Sequence, residues 1–381
     1  MNTESIEFYA GLMSGTSLDG IDAALVSFEG ATIKLVEHYY QPFSPQIRQN
    51  LQSICFANTV ELAKVGQLDT QLGILFADCA LNLFQKADIM PSAVKAIGSH
   101  GQTLYHDPYG NPPSTQAIGD PNSIAELTGV TTVADFRRRD LVVRGQGAPL
   151  APAFHQVVFS NGMEDRAIVN IGGIANVTKL PKDEKQKIIG FDTGPGNALI
   201  DCWAKRHLST AYDKNGDWAK SGQLNKALLE TLLQDSYFTL PPPKSSGKEY
   251  FSSNWLNSRL SGFSRNIPSQ DIQTTLCHLT ALTITNALRT YCGNIDLIFV
   301  CGGGVHNTFL NDLIREYADC EVQSTGIEGV DPDWVEAMAF AWLAKQTLEG
   351  RPGNLPDVTG AERAVILGGI YPGRSRTICV N

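Results

Sequence analysis

Apolar and β-branched residues alternate with glycine, aspartate and serine through IEFYAGLMSGTSLDGIDAALVSFEGATIKLVEHYYQPF, a pattern that predicts strand, glycine turn, strand, tight turn and strand. The spacing then changes. Leu62, Val65, Leu68, Leu72 and Leu75 recur at helical intervals and predict two or more helices across residues 44–86. Residues 93–98, continuing into SHGQT, read as a buried strand with a polar tip. Short strands are expected at residues 116–118 and 131–134, on either side of a helix over residues 122–127.

Near Arg166 the order starts again. RAIVNIGGIANVTKLP and KIIGFDTGPGNALIDCWAKRHL repeat the succession of strand, glycine turn, strand, loop and strand. A helical stretch over residues 270–291 leads into IDLIFVCGGGVHNTFLNDLIREY, a buried strand, glycine turn and helix that answers the SHGQT strand of the first half. The repetition is architectural and weak in letters. It predicts an α/β fold of two duplicated domains, each a mixed sheet flanked by helices, around a hinged interdomain cleft. The expected limits are residues 1–145 and 146–350, with a tail, 351–381, whose run AVILGGIY has no assigned domain. YFTLPPPKSSGKEYF, residues 237–251, and HDPYGNPPST read from composition as surface loops.

The 381 residues exceed what one hydrophobic core usually supports, and 43% hydrophobic with 18% charged residues is the balance of a folded globular chain. A net charge of −9 argues against nucleic acid, whose binding rests on lysine and arginine at phosphates, and favours a small ligand. The eight cysteines form no CxxC pair, which fits the reducing cytoplasm. MNTESIEFYAG lacks the basic and apolar regions of an export signal, and no apolar run is long enough to span a bilayer, so neither export nor a membrane partner is expected.

Candidate chemistry gathers at the glycine turns. In GLMSGTSLDGID the small residues admit close approach of backbone N–H groups to a phosphate chain, and hydroxyls and carboxylates add donors and a seat for hydrated Mg²⁺. An ordinary hairpin turn would use the same residues. NIGGIAN and CGGGVHN stand at equivalent points of the repeat. No GxxxxGK[ST] and no complete GxGxxG occurs, which disfavours a P-loop or dinucleotide enzyme. Ser245 and Lys248 match SxxK without a KTG partner, and His100 and His106 lack a nearby third zinc ligand. Asp192, in GFDTGPGN, follows an apolar strand and is placed either to act as a general base or to shape an Asx turn. Glu336 competes with a structural role too, because Asp333 and Glu336 have capping-box spacing after Asp331 and Pro332. Of Arg137, Arg138, Arg139 and Arg144, one or two are expected to grip an anionic ligand and the rest to be solvated.

MSGTSLDGIDAALV, SHGQTLYH, DFRRRD, GQGAPL, NIGGIANVT, GFDTGPGN, CGGGVHN and DWVEAMAFAWLA, in that order, resemble the motif series of the anhydro-N-acetylmuramic acid kinase family over nearly the whole chain. The resemblance implies two actin-like, ribonuclease-H-like domains and ATP-dependent phosphorylation of an anhydro sugar with opening of its bridge, in cytoplasmic recycling of cell-wall sugars. It assigns Asp192 as the base for water and Glu336 as a second acidic group at the substrate. It assigns Gly15, Thr16, Ser17, Leu18, Asp19, Gly20, Ile21 and Asp22 to the ATP phosphate loop, with Asp19 toward Mg²⁺, and sets Gly172, Gly173, Gly302, Gly303 and Gly304 around the nucleotide. Ser99, His100, Asp135 and Arg137 would line the sugar. A homodimer is compatible with the family. The rival expectations are a kinase of the same class for another sugar, and an ATP-gated scaffold with slow hydrolysis.

Overall fold

The computed structural model describes residues 5–15, 17–55, 57, 59–246, 250–263 and 267–374. Two compact units divide the chain, the first taking Met1–Phe154 and Trp334–Asn381, the second His155–Asp333.

In the first unit β1 (Glu7–Ser14), β2 (Gly20–Glu29) and β3 (Thr32–Pro42) form the antiparallel meander that the alternation predicts. β4 (Val94–Asp107) lies parallel to β1 and continues past the expected polar tip into a hairpin with β5 (Ser114–Ile118); β6 (Thr132–Ala134) lies parallel to β4. Helices Pro45–Cys55 and Leu62–Lys86 fill the predicted helical span. The helix Pro121–Thr128 starts where the Asp120 side chain accepts the Asn122 and Ser123 N–H groups, and stops at Gly129 with φ 72°.

The second unit repeats this plan. β7 (Arg166–Ile171), β8 (Ile174–Leu180) and β9 (Ile189–Pro195) are an antiparallel meander, β10 (Leu297–Cys301) is parallel to β7, and β11 (Glu321–Ser324) is parallel to β10. The second sheet therefore carries the spatial order third, second, first, fourth, fifth, and the first repeats it with β6 in the last place, β5 being a hairpin partner of β4, so the duplicated α/β architecture read from the pattern is present. Central β7 and β10 are buried along their whole length, which is why LIFVC and the AIV of RAIVNI are continuous apolar runs with no alternation. Val169, Ile171, Val177 and Phe191 of this sheet share a core with Leu276, Leu279 and Ile284 of the helix Ser269–Ala287.

The chain then returns to the first unit. The helix Val335–Leu348 packs on β1, β2 and β4, and the tail strand β12 (Gly369–Tyr371) extends the first sheet antiparallel to β6. The linear order had put this helix with residues 146–350 and left the tail unassigned. Two glycines explain its seat. Gly11 and Gly98 are register partners on β1 and β4. A Cβ on Gly11 would lie 1.8 Å from Ala337 O, and one on Gly98 would lie 2.0 Å from Phe340 O, so the helix backbone rests directly on the sheet. Ala10 and Leu12, on the opposite face of β1, pack with Leu72 and Phe76 of the other helix layer.

Because the obstructing atoms are backbone, Gly11→Ala is expected to lower unfolding stability by about 3 kcal/mol or more, read as a lower urea midpoint at constant m-value. Gly66 is the control: it lies in an exposed helical stretch, and a Cβ there would meet nothing within 4 Å. Gly66→Ala is expected to raise stability by about 0.5 to 1 kcal/mol. A Gly11→Ala protein as stable as the parent would mean that the helix does not sit on this strand.

Candidate active site

The first glycine turn is short. β1 ends at Ser14 and β2 begins at Gly20, so Gly20, Ile21 and Asp22 belong to the strand, and Thr16 lies outside the described residues. Leu18 is the anchor: its side chain is in the core, its backbone takes φ 53°, and its N–H reaches Gly15 O at 3.3 Å. A left-handed leucine is unusual, and its burial holds the conformation. Ser17 and Asp19 on either side of it are consequently exposed. The Ser14 hydroxyl ties the two strand ends, at 2.8 Å from Gly20 O and 2.7 Å from Gln102 Oε1. A Cβ on Gly20 would press on Gln41 O and the Tyr40 ring, both at 2.6 Å. Burial, and then the charges of Asp19 and Asp22, push the Tyr40 phenol up to about 12, which sets both carboxylates near the Tyr40 ring.

A second cluster of the first unit centres on Arg137. Its Nη2 donates to His100 Nε2 at 2.8 Å and its Nη1 to Gly147 O at 2.7 Å. With Nε2 accepting, the His100 proton sits on Nδ1 and is donated to Gly101 O at 3.0 Å. Burial, and then the Arg137 charge, hold the His100 pKa down at about 3, so the ring is neutral at physiological pH. Burial raises the Glu336 carboxyl above the ordinary glutamate range, and the Arg137 guanidinium draws it back toward ionisation. Glu336 makes no hydrogen bond among the described residues, and the buried Ser99 Oγ has none either. Native interiors rarely leave a buried hydroxyl such as that of Ser99 unsatisfied without a functional reason, whereas Glu336 is only half-buried.

Asp135 stands apart from this cluster, exposed, with φ 61°, and paired to Arg138 at 3.2 Å. Arg139 donates to Ile366 O and Arg144 pairs with Glu362, so of the four arginines only Arg137 turns inward. The capping box is not formed. The helix begins at Val335 with no side-chain cap, Asp331 accepts the Asp333 N–H, and Asp333 is held by His306 Nε2 at 2.8 Å, leaving Glu336 without a capping duty.

Motif reading passed over Asp140. Its carboxylate is fully buried and accepts from Gly147 N at 2.7 Å, Asn354 Nδ2 at 2.7 Å and Thr359 Oγ1 at 2.9 Å. It fixes the loop whose Gly147 carbonyl holds Arg137. The repeated polar letters of DFRRRD were the available signal.

In the second unit Asp192 lies inside β9, beside a bulge and opposite Asn176, and not in the loop that follows. Its Oδ2 accepts from Ser246 N at 2.9 Å, its N–H donates to Lys244 O at 3.1 Å, and its carbonyl accepts from Tyr237 OH at 3.0 Å. The span around these partners is more than a surface loop: Tyr237, Lys244 and Phe251 are buried. Apolar residues among the prolines hold it down. Lys248 lies outside the described residues.

Gly172 and Gly173 turn their carbonyls to the N–H groups of Asn197, and of Gly196 and Ala198, joining the first glycine turn of this unit to the start of the helix Ala198–Leu208. Gly302 has φ 77° and a Cβ there would lie 2.3 Å from Asn170 Oδ1; one on Gly304 would lie 2.4 Å from the Ile171 side chain. Gly303 has open space around it. All five glycines thus sit at the ends of β7, β8 and β10, and the nucleotide role assigned to them rests on the family.

Among the described residues no helix is long and apolar enough to cross a membrane. The family model for anhydro-N-acetylmuramic acid kinase matches residues 7–373. The chain is 48% identical over 371 residues to the anhydro-N-acetylmuramic acid kinase of Pasteurella multocida, covering 97% of this chain and 98% of that one. It is 47% identical over 368 residues to the enzyme of the same name from Coxiella burnetii (strain RSA 493 / Nine Mile phase I), covering 96% and 98%. The enzyme of that name from Saccharophagus degradans is 48% identical over 367 residues. The chain belongs to the anhydro-N-acetylmuramic acid kinase family.

Proposed function

We propose that this chain converts 1,6-anhydro-N-acetylmuramic acid, water and ATP into N-acetylmuramic acid 6-phosphate and ADP, in cytoplasmic recycling of cell-wall sugars. The substrate is an internal acetal without a free 6-hydroxyl, so phosphorylation requires the bridge to open. Water attacks the anomeric carbon and loses a proton to Asp192; the bond from that carbon to O6 breaks, O6 takes the γ-phosphoryl group, and ADP leaves. An alkoxide is a poor leaving group from an acetal, and the adjacent electrophilic phosphorus accepts its growing charge.

The observation that best supports this reading is the unpartnered buried hydroxyl of Ser99, with the Glu336 carboxyl and neutral His100 both within the influence of Arg137. A buried hydroxyl without a partner, a half-buried carboxyl and the Arg137 guanidinium suit a polyhydroxylated acidic sugar, whose carboxylate would face Arg137. In this reading Glu336 orients the water or the sugar, and Asp135 is an outer contact. The family resemblance gives residues 15–22 to the ATP phosphates, and it gives Gly172, Gly173, Gly302, Gly303 and Gly304 to the nucleotide. Mg²⁺ on ATP takes most of its ligands from phosphate and water, so one exposed carboxylate, Asp19, fits its outer side. Mass spectrometry of the product formed from the anhydro sugar and ATP tests the whole assignment: a single phosphorylated, ring-opened sugar is expected, and phosphate release without a sugar product would refute it.

Asp19→Asn keeps the turn and removes its charge. At subsaturating Mg²⁺, turnover is expected to fall roughly tenfold or more, with partial recovery as the metal is raised. An unchanged Mg²⁺ titration would reduce Asp19 to a turn residue.

A further inference from the structure

Lys244 is only 6% exposed, and an ammonium group so deep in a protein is costly unless it is well surrounded. Its Nζ donates to Tyr237 O at 3.1 Å and lies 3.5 Å from Phe238 O. It also faces three aromatic rings, with centroids at 4.9 Å for Tyr237, 5.5 Å for Tyr291 and 5.8 Å for Phe191. Burial lowers its pKa, and the Asp192 charge raises it, so the lysine and that carboxylate feel each other. Phe191 is the β9 neighbour of Asp192, and Tyr237 supplies both a wall of the cage and the hydroxyl bound to Asp192 O. Tyr237 is itself fixed by Asp235, which accepts its N–H at 2.9 Å and binds Trp255 and Arg259, each at 2.8 Å.

We propose that Lys244 is a positioning residue for Asp192: it fastens the 237–246 segment so that the Ser246 N–H stays on the carboxylate, and it places a buried positive charge behind that carboxylate. The inference rests on the reading of Asp192 as the base. A lysine that only filled space would be replaced at no cost by an unbranched apolar side chain of similar length. Instead the segment meets Asp192 at its N–H, its carbonyl and its carboxylate, so any shift of Lys244 is passed to the reacting oxygen.

Among the described residues, the charged and titratable groups around Lys244 are Asp192, Tyr237 and Tyr291. Removing the ammonium raises the Asp192 pKa, which moves the acid limb of kcat/KM to higher pH. Lys244→Met is expected to lower kcat by about ten- to a hundredfold, move that limb upward and leave the KM for ATP unchanged. Lys244→Arg retains the charge in a bulkier fork, so kcat falls while the acid limb stays in place. Tyr237→Phe keeps the ring and loses the hydroxyl, and kcat is expected to fall by about three- to tenfold with the limb unmoved.

A folded Lys244→Met enzyme with parental kcat and acid limb overturns the proposal. Should that variant fail to fold, parental kcat in both Lys244→Arg and Tyr237→Phe overturns it equally. The underlying reading is checked in the same series. If Asp192→Asn turns over normally, the base assignment fails; if Asp192→Asn is inactive while the Lys244 and Tyr237 variants are normal, only the positioning role fails.

Discussion

Asp192→Asn is expected to bind sugar and ATP almost as the parent does and to turn over roughly two to four orders of magnitude more slowly. The carboxamide oxygen can keep the Ser246 N–H bond at the Oδ2 position, and the backbone links to Lys244 and Tyr237 do not involve the side chain. Local geometry should therefore survive while the group loses its capacity to take a proton from water. Ring opening and phosphoryl transfer should fall together, since a single water attack starts both. Rapid-quench assays of anhydro-sugar loss and ADP formation measure the two losses separately. Turnover close to that of the parent would leave Asp192 as a strand residue with a local hydrogen bond.

The second large effect is expected at Arg137, where one side chain has three tasks. It fixes the His100 tautomer, ties Gly147 O and offsets the burial of Glu336. Arg137→Met removes all three at once. The Glu336 carboxyl then rises further above its ordinary range, and His100 Nε2 loses its donor. The expected result is a loss of roughly a hundredfold or more in kcat/KM for the sugar, with the KM for ATP little changed. Arg137→Lys should recover only part of this, because an ammonium group cannot reproduce the guanidinium fork that reaches His100 and Gly147 together. Steady-state kinetics with each substrate varied in turn provides the measurement. Equal losses for sugar and ATP would move Arg137 out of the sugar site and into general support of the fold.

Much of the fold was legible because each meander announces itself twice, by alternation along its strands and by glycines between them. The membership of the helix Val335–Leu348 was not. That helix is buried at Val335, Ala337 through Ala344 and Thr347, so an apolar stripe gives it no direction. The mark of its seat is the pair Gly11 and Gly98, more than two hundred residues away in the chain, and their meaning emerges only once β1 and β4 lie side by side. The tail was obscure for a related reason. Of AVILGGIY only Gly369–Tyr371 forms a strand, too short to carry its own periodicity.

The candidate site was read unevenly. Asp192 and Glu336 stood out by motif, with structural roles for both as open alternatives; the first lies within a strand and the second takes no part in a capping box, and their chemical roles rest on the proposed function. The supporting residues were hidden. Lys244 sits between prolines and serines, the usual company of solvated loops, and its burial depends on Tyr237, Phe191 and Tyr291, which converge only in three dimensions. Asp140 was concealed by its neighbours, since a carboxylate beside three arginines suggests ion pairs, whereas it accepts from a backbone N–H, an amide N–H and a hydroxyl.

The central claim is that water attacks carbon while the sugar oxygen takes phosphorus. Turnover in ¹⁸O-labelled water, with the product fragmented by mass spectrometry before the anomeric oxygen exchanges with solvent, tests this most directly. The account predicts one heavy oxygen at the anomeric hydroxyl and none in the phosphate ester. Label at the ester oxygen O6 would mean that water attacks C6 and not the anomeric carbon, and label appearing in free phosphate would mean that water attacks phosphorus; either would contradict the roles given to Asp192 and to O6.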